Sequence, residues 1–301
     1  MSIYCMMGDS ASNNPSRKGG VPMNVGFIGT GSMGSLLIGA FITSGALKPS
    51  QIAASNRTIA KVDCLAALYP GLRVEASNAD AAKGKDIVFL CIKPHEFRSV
   101  LNNIRESLRP EQLVVSITSP VMLSQLEDWL PCKAAKIIPS ITNHVGSGAT
   151  LCMYGSRTNT EDQHRLEALL RHISEPIRID EQYTRIVSDL SSCGPAFFAY
   201  FIQQFVDAAV VETGIRRSDA LAVASAMLLG TGRLLTEGGM TPEHIQERVA
   251  VPGGITAKAL QSLEIDCDGM FNRLIRTTHD KYREDAGKVA ASLYGEEVNG
   301  Q

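Results

Sequence analysis

The chain has 301 residues, 44% of them hydrophobic, enough for one large domain or two ordinary ones with a sizeable core. A formal net charge of −2 leaves no electrostatic footprint for nucleic acid. Its seven cysteines (Cys5, Cys64, Cys91, Cys132, Cys152, Cys193 and Cys267) are scattered without a CxxC pair. That argues against a disulfide scaffold or a zinc site, and for a reducing cytoplasm in which most thiols are small core residues. The apolar runs read as too short to span a bilayer. Residues 1–22 are polar, lack the apolar centre of a signal peptide, and read as a disordered lead-in.

The fold is expected to begin near Met23. In Asn24-Val-Gly-Phe-Ile-Gly-Thr-Gly-Ser-Met-Gly34 a short apolar strand meets a glycine turn, and an apolar helical pattern (Leu36, Leu37, Ala40, Phe41) follows at once. Strand, tight turn and helix in this order are the context that a dinucleotide-binding fingerprint needs, and they favour a nucleotide site over a plain structural turn. Gly29 permits the turn, Gly31 lets backbone approach a pyrophosphate, and Gly34 lets the helix pack on the strand. The first amides of the helix would face the phosphates.

A helix over Met33–Ser44 leads to a strand over Gln51–Asn56. About twenty residues past the last glycine, where an NAD site shows Asp or Glu, the chain reads Ser55-Asn56-Arg57-Thr58, with Lys61 one turn later. No carboxylate there repels a 2′-phosphate, and a guanidinium can take that phosphate through two parallel hydrogen bonds. The pattern favours NADP over NAD, against the reading of Arg57 as a merely solvated residue at a helix start.

Further along, the pattern alternates: helix Ile59–Leu68, short strand Arg73–Glu75, helix Asn78–Ala82, and an apolar strand Asp86–Ile92 that breaks at Lys93-Pro94. Helix Phe97–Leu108, strand Leu113–Ile117, helix Leu123–Leu130 and strands Ala134–Ile138, Ala149–Met153 and Pro176–Ile179 follow. Alternating units of this kind make an α/β domain, a Rossmann-like doubly wound parallel sheet, over residues 23–182. Ligands bind such sheets beyond the carboxyl ends of the strands, where Lys93-Pro94, Ser116 to Pro120 and Pro139-Ser140 fall.

After Gln182 the strand pattern stops. Ala196–Thr213, Ser218–Thr236, Pro242–Arg248, Thr256–Leu263 and Met270–Lys288 read as helices, punctuated by Gly214, Gly238-Gly239 and Pro252-Gly253-Gly254. They make an all-helical domain over residues 183–290, with 291–301 as a tail. Phe197–Val206 and Ala220–Leu229 are apolar nearly all round, and about a hundred residues cannot enclose such helices alone. A partner subunit is the expected cover, giving a homodimer or larger homo-oligomer. Ala250-Val-Pro-Gly-Gly-Ile-Thr256 is a second glycine turn feeding a helix; it is either a simple turn or an amide cup for a small carboxylate.

Two separated pieces carry a family resemblance. Ser191-Ser-Cys-Gly-Pro-Ala196 and Val251-Pro-Gly-Gly-Ile-Thr256 resemble the signature of pyrroline-5-carboxylate reductases, which have Ser-Gly-Ser-Gly-Pro-Ala and Ser-Pro-Gly-Gly-(Thr/Ala)-Thr at the same relative places. The likeness runs from Asn24 to Tyr282 and includes Asn78 and Phe89-Leu-Cys-Ile-Lys-Pro94. Ser116-Ile-Thr-Ser-Pro-Val121, Ile138-Pro-Ser-Ile-Thr-Asn143 and Ser192-Cys-Gly-Pro-Ala-Phe197 resemble its late-competence-operon branch.

The resemblance implies an NADPH-binding Rossmann domain and a helical domain that interleaves with a second subunit. It also implies hydride transfer to the C=N carbon of a cyclic imino acid, giving proline. On that basis Ile28, Gly29, Thr30, Gly31, Ser32, Met33 and Gly34 would hold the pyrophosphate, and Asn56 and Arg57 the 2′-phosphate side. Asn78, Cys91, Ile92, Lys93, Pro94, Ile117 and Thr118 would line the rest of the cofactor groove. Gly253, Gly254 and Ile255 would offer amides to the substrate carboxylate, and Thr256 would hydrogen-bond the ring nitrogen. The chemistry asks for few residues, because a protonated imine is already an electrophile and the protein has only to position donor and acceptor and exclude water.

The departures concentrate in the substrate half. Val251 stands where the reductases have Ser, Arg248 where they have Asn, Pro139-Ser140-Ile141-Thr142 where they have Pro-Asn-Thr-Pro, and Ser119-Pro120 where they have Ala-Gly. Arg248 either turns inward toward a displaced or second carboxylate, or pairs with Glu243 or Glu247. An imino acid reductase and a weakly active or non-catalytic, competence-related regulatory paralogue that keeps the nucleotide site are therefore both open. His95 reads as a loop residue, His279-Asp280-Lys281 as a solvated face, and Cys193 as a packed small residue without a His partner. Asp266-Cys-Asp268 lacks the oxygen ligands of a calcium loop, and no metal site is expected.

Overall fold

Val25–Ile28 (β1), buried throughout, sits between Ile52–Ser55 (β2) and Ile87–Leu90 (β4), both parallel to it. The computed structural model describes residues 23–295; the expected lead-in at 1–22 and the last six residues of the tail lie outside them. Contacts divide the described residues into two units, one running to Gln182 and resumed from Ala286, the other Tyr183–Asp285.

Five more strands follow among the described residues: Arg73–Val74 (β3), Leu113–Ser116 (β5), Lys133–Ile138 (β6), Ala149–Tyr154 (β7) and Glu175–Arg178 (β8). Together the eight form one sheet of the first unit in the order β3-β2-β1-β4-β5-β6-β7-β8. The order reverses direction at β1 and β4, the switch point at which such sheets bind ligands. Ser32–Thr43 (α1), Ala60–Leu68 (α2), Asn78–Ala82 (α3), Phe97–Ile104 (α4) and Leu123–Trp129 (α5) connect the strands. Phe27 stacks on Phe89 with ring centroids 4.9 Å apart and Phe41 of α1 tilts against Phe89, so helix and sheet share one apolar core.

The sheet is not wholly parallel, which corrects the expectation from the sequence. β6 and β7 are antiparallel, and β8 runs parallel to β7. The reason lies in the connection: Ile141–Val145 form a single short 3-10 segment between the two strands, too short for a crossover helix. Thr160–Leu170 (α6), absent from the sequence reading, provides the crossover from β7 to β8. Its start carries a reciprocal cap, Asp162 N donating to Asn159 Oδ1 and Asn159 N to Asp162 Oδ2. The helix expected over Phe97–Leu108 ends at Ile104 and tightens into a 3-10 turn over Arg105–Ser107.

The second unit is helical: Thr184–Ser188 (α7), Gly194–Thr213 (α8), Arg217–Thr236 (α9), Pro242–Val249 (α10), Ile255–Asp266 (α11) and the part of Met270–Tyr294 (α12) up to Asp285; α12 continues past the expected Lys288, its residues from Ala286 counting with the first unit. α7 passes into α8 through a π-helical turn, Asp189–Cys193. Because of that continuity Glu181–Thr213 is long and apolar enough, by length and composition alone, to cross a bilayer, contrary to a reading that began the helix at Ala196. The buried apolar centre of the unit is small, Val206, Ala220 and Ala224 with Ile202 against them. Phe205 (66% exposed), Val223 (69%) and Leu229 (61%) lie open on α8 and α9.

His279 corrects a second expectation. Its ring lies 3.9 Å from Asp189 and its Nε2 is buried, so it belongs to a polar cluster and not to a solvated face. Thr278 and Arg185 donate to the same carboxylate at 2.6 and 2.8 Å, and Arg185 also donates to Cys193 Sγ at 3.2 Å.

Candidate functional site

The three fingerprint glycines meet three different demands. Gly29 has φ +96°, and a Cβ there would stand 2.3 Å from the Cys91 carbonyl oxygen. A Cβ on Gly34 would stand 2.2 Å from the Gly29 oxygen, so the helix reaches the turn only without a side chain. At Gly31 a Cβ would meet nothing within 4 Å, and the space beside the helix start is open. Gly31 is the N-cap of α1 and no side chain caps the first amides, while Ser32 is exposed and Met33 packs on the core. The Thr30 hydroxyl is buried there, without a partner among the described residues. An uncapped helix start, open space at Gly31 and an orphaned hydroxyl suit an anionic group, and these residues fit a dinucleotide pyrophosphate.

At the end of β2, Asn56 Oδ1 accepts from Thr30 N at 3.3 Å, and its Nδ2 donates to Thr58 O at 3.0 Å. Ser55 Oγ donates to Asn78 Oδ1 at 2.8 Å, joining β2 to the start of α3. The glycine turn, Asn56 and Asn78 thus form one hydrogen-bonded edge. Arg57, 86% exposed, pairs with Glu96 at 3.2 Å, and the other Glu96 oxygen accepts from Lys93 N at 3.0 Å.

The β4 end supplies the next wall. Cys91 N donates to Ile28 O, and burial pushes the Cys91 thiol far above the usual range, making it a packing group. Ile92 and Lys93 lead into the 3-10 turn Pro94–Glu96, with His95 exposed upon it. From the β5 end Ile117 N donates to Leu90 O at 3.3 Å, and Thr118 Oγ1 donates to Ile92 O at 2.9 Å. The expected groove residues of the first unit therefore share the carboxyl edge of β1, β2, β4 and β5.

One buried pair there was not anticipated. Lys136, with 0% of its side chain exposed, lies on β6 in register with Ser116 and pairs with Glu181 at 2.6 Å. Burial lowers the Lys136 pKa, and the Glu181 carboxylate offsets part of that shift. The available signal was a lysine in mid-strand, with apolar Ala134, Ala135, Ile137 and Ile138 on either side.

In the helical unit the second glycine turn is built as the sequence suggested. Gly253 has φ +75°, Gly254 N donates to Val251 O at 2.9 Å, and Gly254 is the N-cap of α11, again without a side-chain cap. Ile255 is 91% exposed and Thr256 partly so. Arg248 is exposed in the last turn of α10, and among the described residues it makes no ion pair with Glu243 or Glu247. Among the described residues no cluster of three His, Cys, Asp or Glu suits a metal ion.

Comparison with known proteins places this architecture. Residues 181–285 match the family model for pyrroline-5-carboxylate reductase dimerisation, and residues 24–120 that for NADP oxidoreductase, coenzyme F420-dependent. ComE operon protein 4 of Bacillus subtilis is 40% identical over 272 residues, covering 90% of this chain and all of the relative. The pyrroline-5-carboxylate reductase of Methanosarcina acetivorans is 33% identical over 242 residues, 80% of this chain and 89% of its own. The chain belongs to the pyrroline-5-carboxylate reductase family. Its fold is that of the Plasmodium falciparum pyrroline carboxylate reductase solved with NADP bound, with TM-score 0.76 at 24% identity over 92% of this chain and 100% of that one. The family is one of NAD(P)-dependent oxidoreductases, and the late-competence resemblance agrees with the ComE operon relative. The helical run that passes a bilayer test by composition opens the stretch matched by the dimerisation model.

Proposed function

We propose that this chain binds NADP(H) and reduces a cyclic imino acid, 1-pyrroline-5-carboxylate to proline, as a cytoplasmic homodimer or larger homo-oligomer. The observation that carries the reading is the uncapped helix start at Gly31 with the orphaned Thr30 hydroxyl beside it. Ile28 to Gly34 would hold the pyrophosphate, Asn56 and Arg57 the 2′-phosphate, and Asn78, Cys91 to Pro94, Ile117 and Thr118 the remaining groove. The nicotinamide, when bound, supplies the hydride for the C=N carbon.

The chain's own groups then orient and shield. The amides of Gly253, Gly254 and Ile255 at the α11 start suit the substrate carboxylate. Thr256 holds the ring nitrogen by a hydrogen bond; a threonine hydroxyl is too weak an acid for more than orientation. No strong acid is needed, since the imine enters protonated and rate comes from alignment and exclusion of water. Val251 withdraws one hydroxyl from the carboxylate side, and the exposed Arg248 provides a positive charge that the reductases lack there.

That altered loop favours a second reading, a weakly active or regulatory member that keeps the nucleotide site. The 40% relative, matched over its whole length and named for the ComE operon, supports the same reading. NADPH oxidation by the purified protein, measured against a panel of cyclic imino acids, decides between them. Turnover with pyrroline-5-carboxylate supports the reductase; NADPH binding without turnover on any imino acid supports the regulator.

A further inference from the structure

A lysine on a strand buried on both faces needs a reason to be there. Nothing in the sheet's apolar packing calls for the Lys136 charge, and taking an ammonium and a carboxylate out of water costs more than apolar residues of similar volume would. What the Lys136–Glu181 pair offers beyond packing is direction. Lys136 Nζ donates to the Ser119 carbonyl at 3.3 Å as well as to Glu181 Oε1 at 2.6 Å. The same Glu181 oxygen accepts from Leu123 N at 2.8 Å, the first amide of α5.

Between these anchors lies the β5–α5 loop. Its near end is fixed by Thr118 Oγ1 on the Ile92 carbonyl and by Thr118 N on Ser116 Oγ. Its middle hangs on the lysine and its far end on the glutamate. The loop is turned inward, for Ser119 Oγ is buried, without a partner among the described residues. The residues it carries at its start are Ile117 and Thr118.

We propose that Lys136 and Glu181 are positioning residues for the cofactor: the pair fixes the β5–α5 loop so that Ile117 and Thr118 stand at a set place along the groove. This rests on the reading of those two residues as groove-lining. A purely structural pair and a positioning pair differ in what survives its removal. Replacing both charges by apolar residues removes the buried-charge cost and leaves the strand packed, yet the Ser119 carbonyl and the Leu123 amide lose their anchors.

The test is the full-length double variant Lys136→Met/Glu181→Leu, with Glu181→Gln as a milder second variant in case the first does not fold. Three quantities are measured: thermal midpoint, hydrogen exchange of the amides from Thr118 to Leu123, and the Kd of NADPH by calorimetry. The expected result is an unchanged or raised midpoint, faster exchange in the loop but not in β5, and NADPH binding weakened about tenfold, with a smaller shift in the same direction for Glu181→Gln. Unchanged loop exchange overturns the proposal. Faster exchange with unaltered NADPH affinity overturns it too, and points to the groove assignment of Ile117 and Thr118 as the faulty step. Wild-type protein that binds no NADPH refutes the cofactor reading itself, and with it the proposal.

Discussion

Arg57 and Glu96 are joined across the carboxyl edge of the sheet, a guanidinium at the end of β2 held 3.2 Å from a carboxylate in the turn after β4. The residue suited to a 2′-phosphate therefore already has an anionic partner, which an incoming phosphate must share or displace. Arg57→Ala is expected to weaken NADPH binding about tenfold or more and to leave NADH binding unchanged. Glu96→Gln is expected to act oppositely, tightening NADPH several-fold by removing the competing charge. Calorimetry with both cofactors checks each; an equal loss with NADH for Arg57→Ala removes the argument.

The substrate loop gives a paired prediction. Val251→Ser restores a hydroxyl beside the α11 amides and is expected to lower the KM for pyrroline-5-carboxylate, by up to about tenfold. Thr256→Ala is expected to reduce turnover. Steady-state kinetics of both variants checks this, and a wild-type rate equal to an ordinary reductase with no response to Val251→Ser would sink the idea of an altered pocket.

Assembly follows from the open faces of α8 and α9. Burying Phe205, Val223 and Leu229 should give at least a dimer with an interface above about 2,000 Å². Sedimentation at micromolar concentration should show no monomer, and Phe205→Glu should produce one.

The buried thiols give a pH prediction. Burial pushes Cys132 up to about 11 and Cys152 to about 12, from an ordinary 9.0. The folded state keeps protons that the unfolded chain releases, so this contribution is present below pH 9.0 and is lost as pH rises through those values. Lys136 works in the opposite sense, since its lowered pKa means the folded state sheds a proton first. Native protein treated with an alkylating reagent near neutral pH should therefore react at exposed Cys64 and spare Cys132 and Cys152 until it is denatured. Denaturation curves across the alkaline range should lose less stability when both buried thiols are replaced by Ala.

Much of the architecture was legible because it is encoded locally. Apolar strand, glycine turn and apolar helix follow one another without interruption from Val25 to Thr43, and the backbone at Gly29 and the packing at Gly34 leave no room for a side chain. The missing acid at Asn56-Arg57, the Lys93-Pro94 break and the Pro252-Gly253-Gly254 turn are local as well, each a matter of period or turn chemistry. Helix α6 is also written locally, in Asn159, Asp162 and the three buried leucines Leu166, Leu169 and Leu170.

Other features were decided only in three dimensions. The antiparallel β7 depends on how the chain leaves β6, since an apolar strand reads the same in either direction. Glu96 facing Arg57, Glu181 under Lys136 and Asp189 between Arg185 and His279 are pairings between residues far apart in the chain or on different turns of helix. Sequence periodicity says which face of an element is apolar. Which buried charge meets which counter-charge is settled when the elements close on one another, because only then does leaving a charge unpaired carry its full desolvation cost.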